Sequence, residues 1–111
     1  DLGVIAEISH RVVVIYAGRV VEQAQTLELF DQPLHPYTRG LMQAIPSPEA
    51  TRKTQALYEI RGVVPSLFAL PRGCRFHPRC PQAQEICREQ EPDLMESSDD
   101  HWTACWMVGH G

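Results

Sequence analysis

The stretch GCRFHPRCPQAQEIC, residues 73 to 87, holds three of the chain's four cysteines, and Cys105 supplies the last. Successive cysteines have five, six and seventeen residues between them, so no pair forms the C-x-x-C knuckle usual in structural zinc sites. A cubane 4Fe–4S cluster needs four thiolates converging from a loop-rich segment, and a Cys-Pro step such as Cys80-Pro81 is common beside one. Cys74, Cys80, Cys87 and Cys105 are therefore the candidate cofactor-binding and metal-binding residues. An iron–sulfur cluster is the first reading, with zinc, empty thiols and disulfides formed in air as the alternatives. Arg75 and Arg79 would offset the negative charge of a thiolate cluster.

His77 and His101 could each stand in for a cysteine. Four cysteines already fill a four-ligand site, however, and a histidine before proline more often orders a turn. Asp99-Asp100, with Glu96 nearby, lacks the alternating acidic spacing and glycine of a calcium loop and reads as a solvated turn. Nothing in the sequence around the cysteines reads as a substrate pocket or redox-partner motif. The site is expected to be a structural staple, and no catalytic residue is assigned.

The elements that must carry these residues are short. Leu2, Ile5, Ala6 and Ile8 recur at helical spacing behind Asp1 and predict an amphipathic helix. Two β-branched runs, Val12 to Tyr16 and Val20 to Val21, flank Ala17-Gly18 and predict a hairpin at a sheet edge. A one- or two-turn helix is expected from an N-cap at Thr26, with Leu27 and Phe30 on one face and a stop at Pro33. His35-Pro36-Tyr37-Thr38 reads as the start of a further helix, Pro36 standing where a missing N–H costs nothing. Tyr37, Leu41 and Ile45 share its apolar face, and Arg39 is solvated or meets a partner subunit.

Residues 47–56, SPEATRKTQA, are polar, without apolar periodicity, and read as a linker. A strand is expected from Leu57 to Arg61, a helix opening at Pro81, and a closing strand in HWTACWMV. The expected core of this second part is Val63, Val64, Leu67, Phe68, Leu70, Phe76, Trp102 and Trp106.

Composition limits the function classes. The chain has 111 residues, 43% hydrophobic and 22% charged, with nine prolines and seven glycines: an α+β chain with much loop and room for one modest core. A formal charge of −4 provides no basic field for a phosphate backbone, so no nucleic-acid partner is expected. The longest apolar run, Val12 to Ala17, is far short of the roughly 20 residues of a spanning helix. The opening DLGVIAEISH carries no initiator methionine or targeting segment and reads as the interior of a longer chain, with a cytosolic default.

Taken in order, these segments resemble the C-terminal part of the ATP-binding subunit of dipeptide and oligopeptide ABC transporters. AGRVVE, the HPYT..L pattern from His35 to Leu41, and the run Ile60, Gly62, Val64-Pro65-Ser66-Leu67, Leu70-Pro71, GCRFHPRCP and the later Cys87 and Cys105 carry the likeness over essentially the whole chain. The resemblance implies three parts. Residues 1–46 would be the tail of an ABC ATPase domain (helix, β-hairpin, short helices), 47–56 a linker, and 57–111 a loop-rich, cysteine-stapled extension.

It also implies an ATPase parent, with ATP and magnesium bound upstream, that powers peptide import. Its partners would be a second ATPase subunit and membrane permease subunits, at the cytoplasmic face of the cell membrane, with a dimer formed between ATPase subunits. The phosphate loop and signature helix are absent from these residues, and the family's switch histidine would immediately precede Asp1. The chain alone is thus expected to be no enzyme, its own part being structural or regulatory at the subunit interface. A stand-alone metal- or redox-sensing module, and the ATPase tail of a nickel or other solute importer, are the alternative readings.

Overall fold

The computed structural model describes residues 3–8, 10–44 and 69–108. The linker 47–56, the strand expected from Leu57 to Arg61, and Ile45, Val63, Val64, Leu67 and Phe68 lie outside the described residues.

Among the described residues, five antiparallel strands form one sheet in the order β1-β2-β3-β5-β4. Strand β1 runs Gly3–Ile8, β2 Arg11–Tyr16 and β3 Arg19–Gln25; helices α1 (Thr26–Asp31) and α2 (Pro36–Ala44) follow. Later in the chain come a 3₁₀ turn at His77–Arg79, helix α3 (Glu85–Glu89), and strands β4 (Met95–Ser98) and β5 (His101–Thr103). Mixed helix and antiparallel sheet is the α+β architecture expected from the sequence. The connection from α2 to β4 and β5 brings the second part back beside β3.

Strand β2 alternates strictly, burying Val12, Val14 and Tyr16 while Arg11, Val13 and Ile15 stay half-buried. It turns into β3 through Ala17 (φ 50°) and Gly18 (φ 78°), the pair of positive φ values that a tight type I′ hairpin demands. The hairpin is where the sequence puts it, but it is no edge: β1 pairs with β2 on one side and β5 with β3 on the other. The helix expected around Leu2 to Ile8 is replaced by β1, in register from Gly3 opposite Tyr16 to Ile8 opposite Arg11. Val4, Ile5 and Ile8 are β-branched and favour extended backbone, and His10 (φ 68°) provides the tight reversal into β2.

A bulge near Val14 and Ile15 sets Val14 opposite Glu22 but Ile15 opposite Val20. It interrupts the alternation in β3, so that Val21 and Glu22 are both buried. Helix α1 spans the expected residues, but its inward face differs. Gln25 is the N-cap, Thr26 is already helical and buried beside Leu29, and Leu27 is 72% exposed. Helix α2 opens at Pro36 as read, burying Tyr37, Thr38 and Leu41. The core joins Val12, Val14, Tyr16, Ala17, Val21, Ala24, Leu29, Tyr37 and Leu41 to Phe76. Tyr16 meets Tyr37 at 4.7 Å between ring centroids and Phe76 edge-on at 5.1 Å, packing of a kind worth about 0.5–1.5 kcal/mol per pair beyond burial.

The closing strand is shorter than HWTACWMV predicts. Strand β5 stops at Thr103, its core face carries His101 and Thr103, and Trp102 and Trp106 are only half-buried. Trp106 instead donates from Nε1 to the Gln90 carbonyl at 2.7 Å. Leu70 packs against the core from a half-buried position. Asp99-Asp100 is the turn between β4 and β5, with Asp100 at φ 57° donating its N–H to Glu96 and its carboxylate paired with Arg11. Pro81 does not open a helix: the Ala83 N–H returns to the Cys80 carbonyl at 3.3 Å, and α3 begins only at Glu85.

Candidate cysteine site

Gly73 introduces the first cysteine. Its φ of +77° and its contact with the main chain of α3 leave no room for a side chain: a Cβ would stand 2.4 Å from the Cys87 carbonyl oxygen. This approach allows the Cys74 N–H to donate to that carbonyl at 2.8 Å, tying Cys74 to Cys87 through the main chain. The Cys74 carbonyl accepts from the His77 N–H at 3.1 Å, starting the 3₁₀ turn, and Cys80 caps that turn by donating to the His77 carbonyl at 3.2 Å. Cys105 follows β5 by two residues. The pairing of β5 with β3, extended by the Ala104 N–H on the Val21 carbonyl at 2.8 Å, fixes its position.

All four cysteines line one cavity, together with His35, His77, Phe76 and Trp106. The cavity is small, about 10 Å³, which is room for little more than one water molecule. No disulfide joins any of the four cysteines. Burial pushes Cys74 up to about 11, with the neighbouring Cys105, Cys87 and Cys80 adding to the rise. Cys80 and Cys105 are also raised, burial again being the main cause. Two main-chain donors already point at sulfur: Gln82 N–H to Cys80 Sγ and Met107 N–H to Cys105 Sγ, both at 3.4 Å.

Among the described residues, no three His, Cys, Asp or Glu side chains are grouped so as to hold a metal ion. The arginines expected to neutralise the site are occupied elsewhere, and neither lines the cavity. Arg75 donates from Nη1 to the Ala17 carbonyl at 2.6 Å and pairs with Glu91, while Arg79 donates to the Tyr16 hydroxyl at 3.2 Å.

His101, an alternative ligand by sequence, is committed away from the thiols. Its Nε2 lies 2.5 Å from Glu22 and its Nδ1 2.6 Å from Glu28. Glu22 also accepts the Leu34 N–H at 2.9 Å and the His35 N–H at 2.8 Å, so one buried carboxylate joins β3, β5 and the opening of α2. The sequence reading missed this arrangement, and it missed that His35 reaches the cysteine cavity. The one signal for the first was a glutamate in a β-branched strand beside two buried positions, since an unpaired charge there would be costly.

Comparison with known proteins shows the lineage. Residues 21–87 match the family model described as the oligopeptide/dipeptide transporter, C-terminal region. The chain belongs to that family.

Relatives of this chain match over nearly its full length. A probable peptide ABC transporter ATP-binding protein, y4tR, of Sinorhizobium fredii is 52% identical over 106 residues, covering 96% of this chain and 31% of the relative. The oligopeptide transport ATP-binding protein AppD of Bacillus subtilis is 43% identical over 107 residues, covering 96% and 32%. The dipeptide transport ATP-binding protein DppD of Caldanaerobacter subterraneus is 41% identical over 111 residues, covering 100% and 33%. The chain thus spans about a third of the length of these relatives. Among the described residues no helix is long and apolar enough to cross a membrane.

Proposed function

We infer that this chain is the C-terminal portion of an ATP-binding subunit that energises peptide import through an ABC transporter. Its own contribution is interaction: it fixes a cysteine-bearing extension to the ATPase-type hairpin, where the extension positions or regulates the contact with the second ATPase subunit. The observation that carries this reading is the pairing of β5 with β3, Glu22 opposite Thr103 and Gln23 opposite Trp102, sealed by Glu22 and His101. A module held by its own main chain to the ATPase tail is placed to act on it. The whole subunit would work with the membrane permease subunits at the cytoplasmic face. The 111 residues alone, lacking a phosphate loop, would not turn over ATP. Removing residues 57–111 from the whole subunit should weaken subunit dimerisation and ATP-driven peptide uptake; unchanged dimerisation and uptake would sink the reading.

We propose that the four cysteines hold a polynuclear cluster rather than a single ion. All four thiols line one cavity, and a cluster would spread its thiolates over different iron atoms, whereas zinc gathers them all at about 2.3 Å. Cys74, Cys80, Cys87 and Cys105 would hold a 4Fe–4S cluster, which when bound supplies a covalent cross-link among the Cys74 loop, the 3₁₀ turn, α3 and the end of β5. The main-chain donors of Gln82 and Met107 would hold their two sulfurs as thiolates. Iron and acid-labile sulfide in anaerobically prepared protein test this; zinc alone, or neither element, would overturn it.

A further inference from the structure

The two ring nitrogens of His35 have different surroundings. Nδ1 accepts the Tyr37 N–H at 3.0 Å, so it carries no proton and Nε2 does. The ring is buried, 1% exposed, and among the described residues Nε2 has no hydrogen-bond partner of normal geometry. The Ala104 carbonyl bears on the ring but makes no hydrogen bond of normal geometry with Nε2. His35 cannot turn easily: its N–H is held by Glu22, and its ring lies 5.7 Å from Phe76, centroid to centroid. A buried N–H left without an acceptor costs free energy and, in a native protein, points to a partner.

The cavity supplies one. His35 lines it together with the four cysteines, and among the described residues no arginine or lysine does. The geometry points to His35 as a hydrogen-bond donor to the occupied cysteine site, its Nε2–H reaching a thiolate or sulfide sulfur held there. This rests on the cluster reading of the cysteines. The residue that opens α2 with its Nδ1 would thus serve the extension with its Nε2, giving the ATPase tail a direct contact with the cluster. A donor of this kind favours the more negatively charged, reduced form of the cluster and so raises its midpoint potential.

Two substitutions separate the roles of the ring. His35→Asn keeps an acceptor for the Tyr37 N–H but is too short to reach the cavity as Nε2 does, while His35→Gln places an amide N–H near the lost Nε2. Iron, acid-labile sulfide and midpoint potential are measured on the full chain, prepared anaerobically, for wild type and both variants. The expected result is similar iron content in all three, a more negative potential in H35N, and return towards the wild-type value in H35Q. Equal potentials in wild type and H35N at equal iron content would overturn the proposal and leave His35 a helix cap.

Should H35N fail to load, the reduced wild-type protein with 15N-labelled histidine decides. A histidine nitrogen coupling to the cluster that is present in wild type and lost in H35Q supports the contact, and absence of any histidine coupling in wild type, or one that survives in H35Q, refutes it. If wild type itself lacks iron and sulfide, the cluster reading fails separately. His35 is then judged on the rate at which dithionitrobenzoate consumes the thiols: a changed rate in H35N that H35Q restores supports the contact, and an unchanged one refutes it.

Discussion

Glu22 and His101 are 79 residues apart in sequence and 2.5 Å apart in the structure, with side chains 0% and 2% exposed. The same carboxylate accepts the main-chain N–H groups of Leu34 and His35, and the far side of the imidazole reaches Glu28. Glu22→Ala would therefore leave two main-chain donors and a ring nitrogen without their acceptor. At about 1–3 kcal/mol for each buried group left unsatisfied, the loss should be roughly 3 kcal/mol or more. Urea unfolding of wild type and variant measures it, and a loss below about 1 kcal/mol would show that water replaces the carboxylate.

Gly73 makes a second demand on the chain. Alanine there must hold a positive φ, at about 1–3 kcal/mol, and its Cβ also overlaps the main chain of Cys87, Arg88 and Glu89. Gly73→Ala should lower thermal stability and, by separating Cys74 from Cys87, reduce metal loading in the same preparation. Full loading with lowered stability would mean that the cysteines do not depend on this approach.

The thiols set a pH dependence. Cys74 is moved from 9.0 to about 11 in the folded chain, so between those values the folded state holds a proton that the unfolded state has released. Stability of the metal-free chain should thus be unaffected by Cys74 below about pH 9 and fall as pH rises from there to about 11. Metal loading runs the other way: ligation needs thiolates and releases protons, so apparent affinity should rise with pH. Urea midpoints and metal titrations across this range check both signs.

Arg75 joins the extension to the hairpin turn by donating to the Ala17 carbonyl, with Glu91 holding its other edge. Arg75→Met keeps much of the aliphatic stem and removes the donor. A loss of roughly 1–2 kcal/mol is expected, within the range for a charged donor on a main-chain carbonyl. The same measurement on Arg88→Met, whose side chain is exposed, serves as the comparison and should show less than about 0.5 kcal/mol.

Local chemistry made part of this legible from sequence. Ala17-Gly18 between β-branched runs specifies a tight hairpin, and Pro36 specifies the start of α2, because both depend on a few adjacent residues. The grouping of four cysteines around one cavity was also readable, since three of them stand in one short segment. The first strand was not: Leu2, Ile5, Ala6 and Ile8 fit a helical period, and only the pairing of β1 with β2 decides otherwise. Trp102 and Trp106 were given to the core because they are large and apolar, yet Glu22 across the sheet draws His101 inward and turns Trp102 away. Which partner a polar group finds 79 residues away is a property of the topology, and the local pattern does not encode it.

The union of β3 with β5 has a consequence for chain connectivity. Because the hold on the second part includes ladder hydrogen bonds, the Glu22–His101 contact, the Arg75 bridge and the packing of Phe76 into the core, it does not require the peptide bonds between α2 and Gly73. A single protease cut within residues 47–56 should leave two pieces that elute together under native conditions and separate only in denaturant. The second part behaves in this respect as an intramolecular ligand of the hairpin.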